Sequence, residues 1–198
     1  MTPPPIALGA VILAGGTAAR LGGADKASIE LAGRTLLTWA LDAVIDAGEV
    51  VVLGDWVPTE RPVTFTREDP AGGGPAAGLI AGLEAFSRPP RSLAVLAVDM
   101  PFVTMRTMDR LRSGAEGRDG AALTDLSGRR QLAMVLDTER LRGVIPPYDE
   151  RHGLPLHRLL APLDLIEVPG RDQEFRDIDS WADLAEAREQ FDAPFDLD

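Results

Sequence analysis

Short apolar segments alternate along the first half of the chain with segments that are apolar on one face. The apolar segments are rich in aliphatic and β-branched residues, as strands buried on both faces of a sheet are, and they lie at 9–14, 49–54, 63–65 and 93–98. Amphipathic or small-residue segments predict helices that begin after Thr35, at 76 and after Thr104. This alternation predicts a mainly parallel sheet with right-handed crossovers.

The second half of the chain shows a different pattern. Two apolar runs at 121–126 and 131–136 flank a polar turn, which predicts a hairpin or another strand pair. The remaining predicted elements are helices at 138–141 and 155–160, a strand at 163–168, and a helix at 181–191 capped by Ser180. We therefore predict an α/β protein with one Rossmann-like three-layer domain and helices on both faces of the sheet. The predicted domain covers 9–191, between a disordered proline-rich lead-in at 1–8 and an acidic tail at 192–198.

Charge and cysteine content narrow the classes of function. The chain has 198 residues and a formal net charge of −11, which argues against nonspecific binding to nucleic acid or to anionic membranes. It contains no cysteine, so disulfides, a thiol nucleophile and a thiolate zinc site are excluded. Neither a signal peptide nor a membrane-spanning run is evident in the sequence. These observations predict a cytoplasmic protein with no membrane or nucleic-acid partner.

A glycine-rich stretch, LAGGTAARLGGADK at residues 13–26, follows the first strand directly. Gly15 and Gly16 lack a Cβ, so the backbone there can approach a ligand closely, and Arg20 and Lys26 supply positive charge. A glycine turn with cations after the first strand is typical of a phosphate-binding loop. The stretch fits neither the Walker A spacing nor GxGxxG. The alternative interpretation is a surface loop of small residues.

Lys26 is the only lysine among the 20 lysine and arginine residues of the chain. An ammonium group is a compact point charge, whereas a guanidinium group is a wide planar fork. A site that needs a small cation on a phosphate oxygen would therefore retain lysine here. The alternative is that the one lysine of the chain lies in this loop by chance.

A second chemical candidate, Asp99, comes directly after the strand predicted at 93–98. The carboxyl end of a central parallel strand is where open α/β sheets bind ligands. An N-cap role for Asp99 is the alternative, but Thr104 is better placed to cap the next helix.

The LAGGTAARLGGADK stretch resembles the signature loop of the molybdenum cofactor guanylyltransferases of the MobA type, within the wider nucleotidyltransferase superfamily. Other segments are similar to motifs of the same family: an acidic residue before a GP-x-AG loop at 68–83, an Asp-x-Pro motif at 99–101, a Q-P-L-like motif at 130–133, and a closing segment at 177–184. The resemblance covers roughly residues 9–188. It implies the fold of nucleotide-diphospho-sugar transferases.

The resemblance also implies an activity and its participants. A member of this family transfers GMP from GTP to the terminal phosphate of molybdopterin and releases pyrophosphate, with Mg²⁺ as the metal. GTP and molybdopterin are then the substrates, and other proteins of molybdenum cofactor biosynthesis are transient partners.

The family motifs assign roles to individual residues, several with an alternative. Asp99 would bind the metal, Arg20 and Lys26 the departing phosphates, and Asp69 the base or ribose. The nucleotide loop would comprise Leu13, Ala14, Gly15 and Gly16, and the acceptor side or a second metal face would comprise Arg130, Gln131, Asp177 and Asp179. For Asp177 and Asp179 the alternative is a solvated turn with capping carboxylates, and for Arg130 it is an exposed hairpin tip.

Two other functions compete with this one. The first is a related nucleotidyltransferase that acts on a sugar or polyol phosphate or uses CTP; the LAGG sequence favours a guanylyl user, since cytidylyl relatives more often show LAAG. The second is a nucleotide-binding module without turnover, against which the presence of both Lys26 and Asp99 argues.

Overall fold

A computed structural model describes residues 4–15, 23 and 25–192 of the chain. Seven strands form the main sheet and two short strands form a separate hairpin. The strands are β1 (Ile6–Leu13), β2 (Glu30–Leu31), β3 (Arg34–Thr35), β4 (Glu49–Leu53), β5 (Thr64–Thr66), β6 (Pro90–Ala97), β7 (Gly120–Thr124), β8 (Arg130–Asp137) and β9 (Leu165–Pro169).

The main sheet has the strand order β5-β4-β1-β6-β8-β7-β9, and only β8 runs antiparallel to its neighbours. In the register of the central strands, Leu13 lies opposite both Leu53 and Ala97. The carboxyl ends of β1, β4 and β6 therefore meet at one edge of the sheet. The chain moves outward from β1 in one direction through β4 and in the other through β6, which makes this edge a topological switch point.

In the described part of the chain, six α-helices cover both faces of the sheet. They are α1 (Leu36–Ala43), α2 (Gly74–Glu84), α3 (Met105–Gly114), α4 (Thr138–Gly143), α5 (Leu156–Leu160) and α6 (Trp181–Asp192). Residues of α1, α3 and α6 share one buried cluster, and residues of α2, α4 and α5 share the other. The side chains of β1 alternate between the clusters, since Ile12 lies in the first and Val11 in the second. The predicted three-layer α/β architecture is confirmed.

Polar caps fix where the helices begin, as predicted. Thr35 Oγ1 accepts from the Thr38 N–H at 3.1 Å, and Thr104 and Thr107 form a reciprocal capping box at the start of α3. Ser180 Oγ accepts from the Asp183 N–H at 3.2 Å at the start of α6. No helix within the described ranges combines the length and the hydrophobicity that crossing a bilayer requires.

The start of β1 differs from the prediction. The strand begins at Ile6 rather than at residue 9, because the Ile6 N–H donates to Pro89 O at 3.2 Å and Ile6 pairs with Pro90 in β6. Residues 6–8 thus belong to the sheet and not to a disordered lead-in. Residues 1–3 and 193–198, the rest of the lead-in and nearly all of the predicted tail, lie outside the described residues.

Helix α2 packs against the sheet through glycines, which leads to a stability prediction. A Cβ on Gly82 would lie 2.8 Å from Leu53 Cδ2 and 2.9 Å from Val11 Cγ1. We expect Gly82→Ala to lower the free energy of unfolding, because overpacking costs about 1–3 kcal/mol whereas the helix propensity of alanine returns about 1 kcal/mol. Denaturant unfolding monitored by circular dichroism measures the change.

The matched control for this prediction lies one turn earlier on the same helix. A Cβ on Gly78 would meet Leu13 at 3.5 Å and Leu53 at 3.9 Å, which is ordinary van der Waals contact. Gly78→Ala should therefore leave the stability unchanged or raise it. A Gly82→Ala variant as stable as the unmodified chain would contradict the close packing seen here.

Candidate functional site

The carboxyl ends of β1, β4 and β6 open into a cleft of about 900 Å³. This volume is within the range of pockets that bind small ligands. The cleft is lined by the ends of the three strands, by the loop that precedes α2, by the first turns of α2 and by Leu132 of β8; its strand-end residues include Leu13, Ala14, Gly15, Leu53, Gly54, Asp55, Ala97 and Asp99. The ligand position predicted from the sequence, at the carboxyl edge of the parallel strands, coincides with this cleft.

The glycine loop before α2 is shaped by Glu68. Its carboxylate accepts from the Gly72 N–H at 3.0 Å and from the Gly74 N–H at 3.1 Å. Both glycines have a positive φ, +71° and +82°, a conformation that other residues rarely adopt. Glu68 lines the cleft, yet it is absent from the predicted site. The signal that could have found it is the run of glycine N–H groups that follows, since these donors need a nearby acceptor.

Asp69, predicted to contact the base or ribose, is held from outside the cleft. Tyr148 Oη donates to Asp69 Oδ1 at 2.6 Å, and this hydrogen bond raises the pKa of the Tyr148 hydroxyl. The cleft-lining residues include Glu68 but not Asp69. Tyr148 lies in the 3₁₀ turn Tyr148–Glu150, so a segment of the second half of the chain restrains the loop before α2.

Lys26 lies at the start of a short 3₁₀ turn, Lys26–Ser28, which is capped by Asp25. Its Nζ donates to Asp99 Oδ2 at 2.6 Å and to Asp179 Oδ1 at 2.6 Å, and only 13% of the side chain is exposed. Burial lowers the pKa of Lys26, but the hydrogen bonds and charges of Asp179 and Asp99 together outweigh it and raise the pKa. Lys26 is therefore cationic throughout the neutral pH range.

The closing segment at 177–179 is joined to the end of β6. The Ile178 N–H donates to Asp99 O at 2.9 Å, and the Ile178 side chain is buried in the core. Asp177 and Asp179 are thereby brought to the same edge of the sheet as Asp99. Desolvation raises the pKa of Asp177, and the charges of Asp179 and Asp99 raise it further. The structure thus brings four of the predicted site residues together: Lys26, Asp99, Asp177 and Asp179.

The acidic residues at this edge do not form a cage of protein ligands for a metal. In the described part of the chain, no group of three or more histidine, aspartate or glutamate side chains is arranged to hold a metal ion. Asp99 nevertheless lines the cleft, with 18% of its side chain exposed. A magnesium site of the kind that uses one or two carboxylates and completes its coordination with substrate phosphates and water fits this arrangement.

Arg130 and Gln131, predicted for the acceptor side, both contact other side chains of the protein, Arg130 on β9 and Gln131 at the β7–β8 turn. Arg130 Nε lies 3.4 Å from Glu167 Oε1 in an exposed ion pair. Gln131 Nε2 donates to Asp125 Oδ2 at 3.0 Å and to Arg129 O at 3.1 Å. Neither is among the described residues that line the cleft, whereas Leu132 is. Gly16 and Arg20, the other predicted phosphate contacts, lie outside the described residues.

Comparison with known proteins identifies sequences that are similar to this chain. A family model described as the MobA-like NTP transferase domain matches residues 10–167. The molybdenum cofactor guanylyltransferase of Mesorhizobium japonicum is 30% identical over 179 residues, which are 86% of this chain and 84% of that protein.

Two solved structures have a similar fold. The molybdopterin-guanine dinucleotide biosynthesis protein A of Archaeoglobus fulgidus superposes with a TM-score of 0.67 at 22% identity, covering 92% of this chain and 98% of the other. A Mycobacterium tuberculosis protein solved in complex with manganese superposes with a TM-score of 0.68 at 16% identity, covering 94% of this chain and 100% of the other.

Proposed function

Because the chain belongs to the MobA-like NTP transferase family, we propose that it transfers GMP from GTP to the terminal phosphate of molybdopterin, giving molybdopterin guanine dinucleotide and pyrophosphate. It is a nucleotidyltransferase, as its curated relatives are. The observation that carries the proposal is the pairing of Lys26 with Asp99 at the wall of a nucleotide-sized cleft. One group supplies a small positive charge for phosphate, and the other supplies a carboxylate for a metal.

The reaction needs positioning and charge neutralisation from the protein. A phosphate oxygen of the acceptor attacks the α-phosphorus of GTP, and the bond from that phosphorus to the bridging oxygen breaks. The electron pair leaves with pyrophosphate, so negative charge grows on the β- and γ-phosphates. Lys26 neutralises this charge, while the cleft holds the two substrates in line.

Asp99 is the residue that would hold the metal, and we include Mg²⁺ in the proposal. A Mycobacterium tuberculosis protein of similar fold was solved in complex with manganese, a divalent cation with similar oxygen preferences. A divalent cation bound there would neutralise phosphate charge and hold the triphosphate oxygens in a fixed arrangement.

The nucleotide lies, in this proposal, between the end of β1 and the loop before α2. Ala14 and Gly15 line the cleft on one side, and Gly72, Gly74 and Gly78 line it on the other. Small residues on both sides leave room for a flat base and a ribose. Guanine presents N1–H and N2–H₂ donors, and backbone carbonyls of the cleft are the acceptors proposed for them; Asp69 stays a candidate next to the cleft-lining Glu68. Gly16 and Arg20 keep their proposed roles at the phosphates.

The proposed acceptor side uses residues of the closing segment and of β8. Asp177, in the segment that Ile178 joins to Asp99, is proposed for the acceptor side. Arg130 and Gln131 stay candidates for contacts with the pterin phosphate from the β8 side. Transient contact with other proteins of molybdenum cofactor biosynthesis and a cytoplasmic location complete the proposal.

A nucleotide and acceptor panel tests the proposed function. Purified protein is incubated with Mg²⁺, each labelled nucleoside triphosphate, and either molybdopterin or a sugar 1-phosphate, and the products are separated. We expect transfer from GTP to molybdopterin well above transfer from CTP, UTP or ATP, because a site built for guanine donors leaves acceptors unpaired with other bases. A Lys26→Ala protein and a reaction without acceptor give the background.

Three outcomes would contradict the proposal in different ways. Guanylyl transfer to the sugar phosphate alone would refute the acceptor. A faster transfer from CTP would refute the base preference. Nucleotide binding without any product would favour the binding module over the enzyme.

A further inference from the structure

Among the described residues, Lys26 has two carboxylate partners rather than one, and the second lies in a distant segment of the sequence. Asp99 and Asp179 each lie 2.6 Å from Lys26 Nζ, and Asp179 is 153 positions later in the sequence. We propose that Asp179 is a positioning residue for Lys26, which holds the ammonium group at the cleft edge before any ligand binds. The inference rests on the proposed function for its catalytic consequence, but not for the contact itself.

The segment that carries Asp179 is braced from its N-terminal side by Glu174. Arg110 of α3 donates to Glu174 with both guanidinium nitrogens at 2.8 Å, and Thr107 Oγ1 donates to Oε1 at 2.7 Å. The Arg171 N–H adds a fourth hydrogen bond at 2.8 Å. Because Glu174 and Arg110 are both largely buried, this bidentate pair fixes the approach of the segment to the site.

The same segment is held at its centre and on its C-terminal side. Ile178 is 1% exposed, and its N–H is bonded to Asp99 O, so the backbone of Asp179 and the backbone of Asp99 belong to one rigid frame. Asp183 Oδ2 accepts from the Asp179 N–H at 3.2 Å and from the Ser180 N–H at 2.7 Å. The carboxylate of Asp179 therefore projects from a backbone that is fixed on both sides.

The fixed position of Asp179 would order the Lys26 side chain rather than stabilise the fold. A lysine side chain has a flexible four-carbon stem, and a mobile ammonium group must be ordered each time substrate binds. In the proposed reaction Asp99 would also hold the metal, and its charge would then be shared between the metal and Lys26. Asp179 is then the partner that keeps Lys26 directed toward the phosphates.

The single lysine allows a direct test without any substrate. A chain labelled with ¹³C at lysine Cε has one lysine side-chain signal, whose relaxation reports the motion of Lys26 alone. We expect a rigid side chain in the unmodified protein and a more mobile one in Asp179→Ala, where Asp99 is the remaining carboxylate contact of the described residues. Asp179→Asn should be intermediate, because the amide oxygen still accepts a hydrogen bond. The melting temperature should stay unchanged, since half of the Asp179 side chain is exposed.

Kinetics provide the second measurement. We expect kcat for nucleotidyl transfer to fall about tenfold or more in Asp179→Ala with little change in KM, because a misplaced catalytic group costs transition-state rather than ground-state binding. Asp172→Asn is the matched control: it removes the same charge from an exposed position of the same segment, and asparagine tolerates the φ of +50° at that position. It should leave both the Lys26 signal and kcat unchanged.

The outcomes separate this inference from the proposed function. A Lys26 side chain as rigid in Asp179→Ala as in the unmodified chain would overturn the inference, even if the enzyme transfers GMP normally. If Lys26 becomes mobile in Asp179→Ala while kcat stays unchanged, the positioning role of Asp179 is also overturned. If the unmodified protein transfers no nucleotide, the proposed function fails, whereas the relaxation measurement still decides what holds Lys26.

Discussion

Lys26→Ala should lower the rate of nucleotidyl transfer about 100-fold or more while the chain stays folded. The loss removes the only described cation in contact with Asp99 at the cleft, and one well-placed charge on a transferring phosphate is worth several kcal/mol of activation barrier. The fold should persist because Lys26 lies in a short turn and not in either buried cluster. Steady-state kinetics with GTP and a thermal unfolding curve measure the two effects.

The Lys26→Arg variant tests whether charge alone is sufficient. The ammonium nitrogen lies 2.6 Å from carboxylate oxygens on two sides and is largely buried, so a planar guanidinium group cannot occupy the same point. We expect Lys26→Arg to remain well below the unmodified rate. Arg118→Lys, an exchange in the opposite direction at an exposed ion pair outside the cleft, is the control and should be silent. Full activity of Lys26→Arg would refute the point-charge argument.

Asp99→Asn should also reduce turnover about 100-fold, and in addition it should change the dependence on the divalent cation. An amide keeps the size of the side chain but loses the negative charge that a hard cation requires. The loss of a charge-assisted interaction at the reacting phosphate costs on the order of 3 kcal/mol. Activity measured across a Mg²⁺ titration should show a weaker apparent affinity for the metal.

Asp179→Asn is the informative comparison for Asp99→Asn. Both variants remove one carboxylate from Lys26, but only Asp99 belongs to the proposed metal site. The Mg²⁺ titration midpoint should therefore move in Asp99→Asn and stay in place in Asp179→Asn. An Asp99→Asn enzyme with full activity and an unchanged midpoint would remove Asp99 from the site.

The sequence predicted the three layers of the fold because its strands and helix starts have strong local patterns. The runs that form β4 and β6 are nearly free of charged residues, and the caps at Thr35 and Thr104 are common helix starts. The predicted beginning of β1 was wrong, because the prolines at 3–5 suggested a disordered segment. What extends the strand is a tertiary contact, the pairing of Ile6 with Pro90, which no local pattern contains.

The site was predictable only where local sequence determines it. The sequence placed Asp99 at the end of a central strand and Lys26 in the first loop, and their contact is present in the structure. The contact between Lys26 and Asp179 was not predictable, because it depends on the hydrogen bond that aligns Ile178 with Asp99. Gln131 is a different case. Its motif suggested a role on the acceptor side, and in the structure its side chain donates to Asp125 of the adjacent turn, a contact that the motif does not reveal.

The long separation in sequence between Lys26 and its partners also affects how the protein is made. The two carboxylates lie 73 and 153 positions after the lysine, so a ribosome adds the second one only after the last described strand of the sheet. All described strands of the sheet are complete once Pro169 has been added, and domains begin to fold from their N-terminal side during synthesis. A nascent chain, or a product of premature termination before residue 179, can therefore contain the whole sheet and still lack a finished cation site.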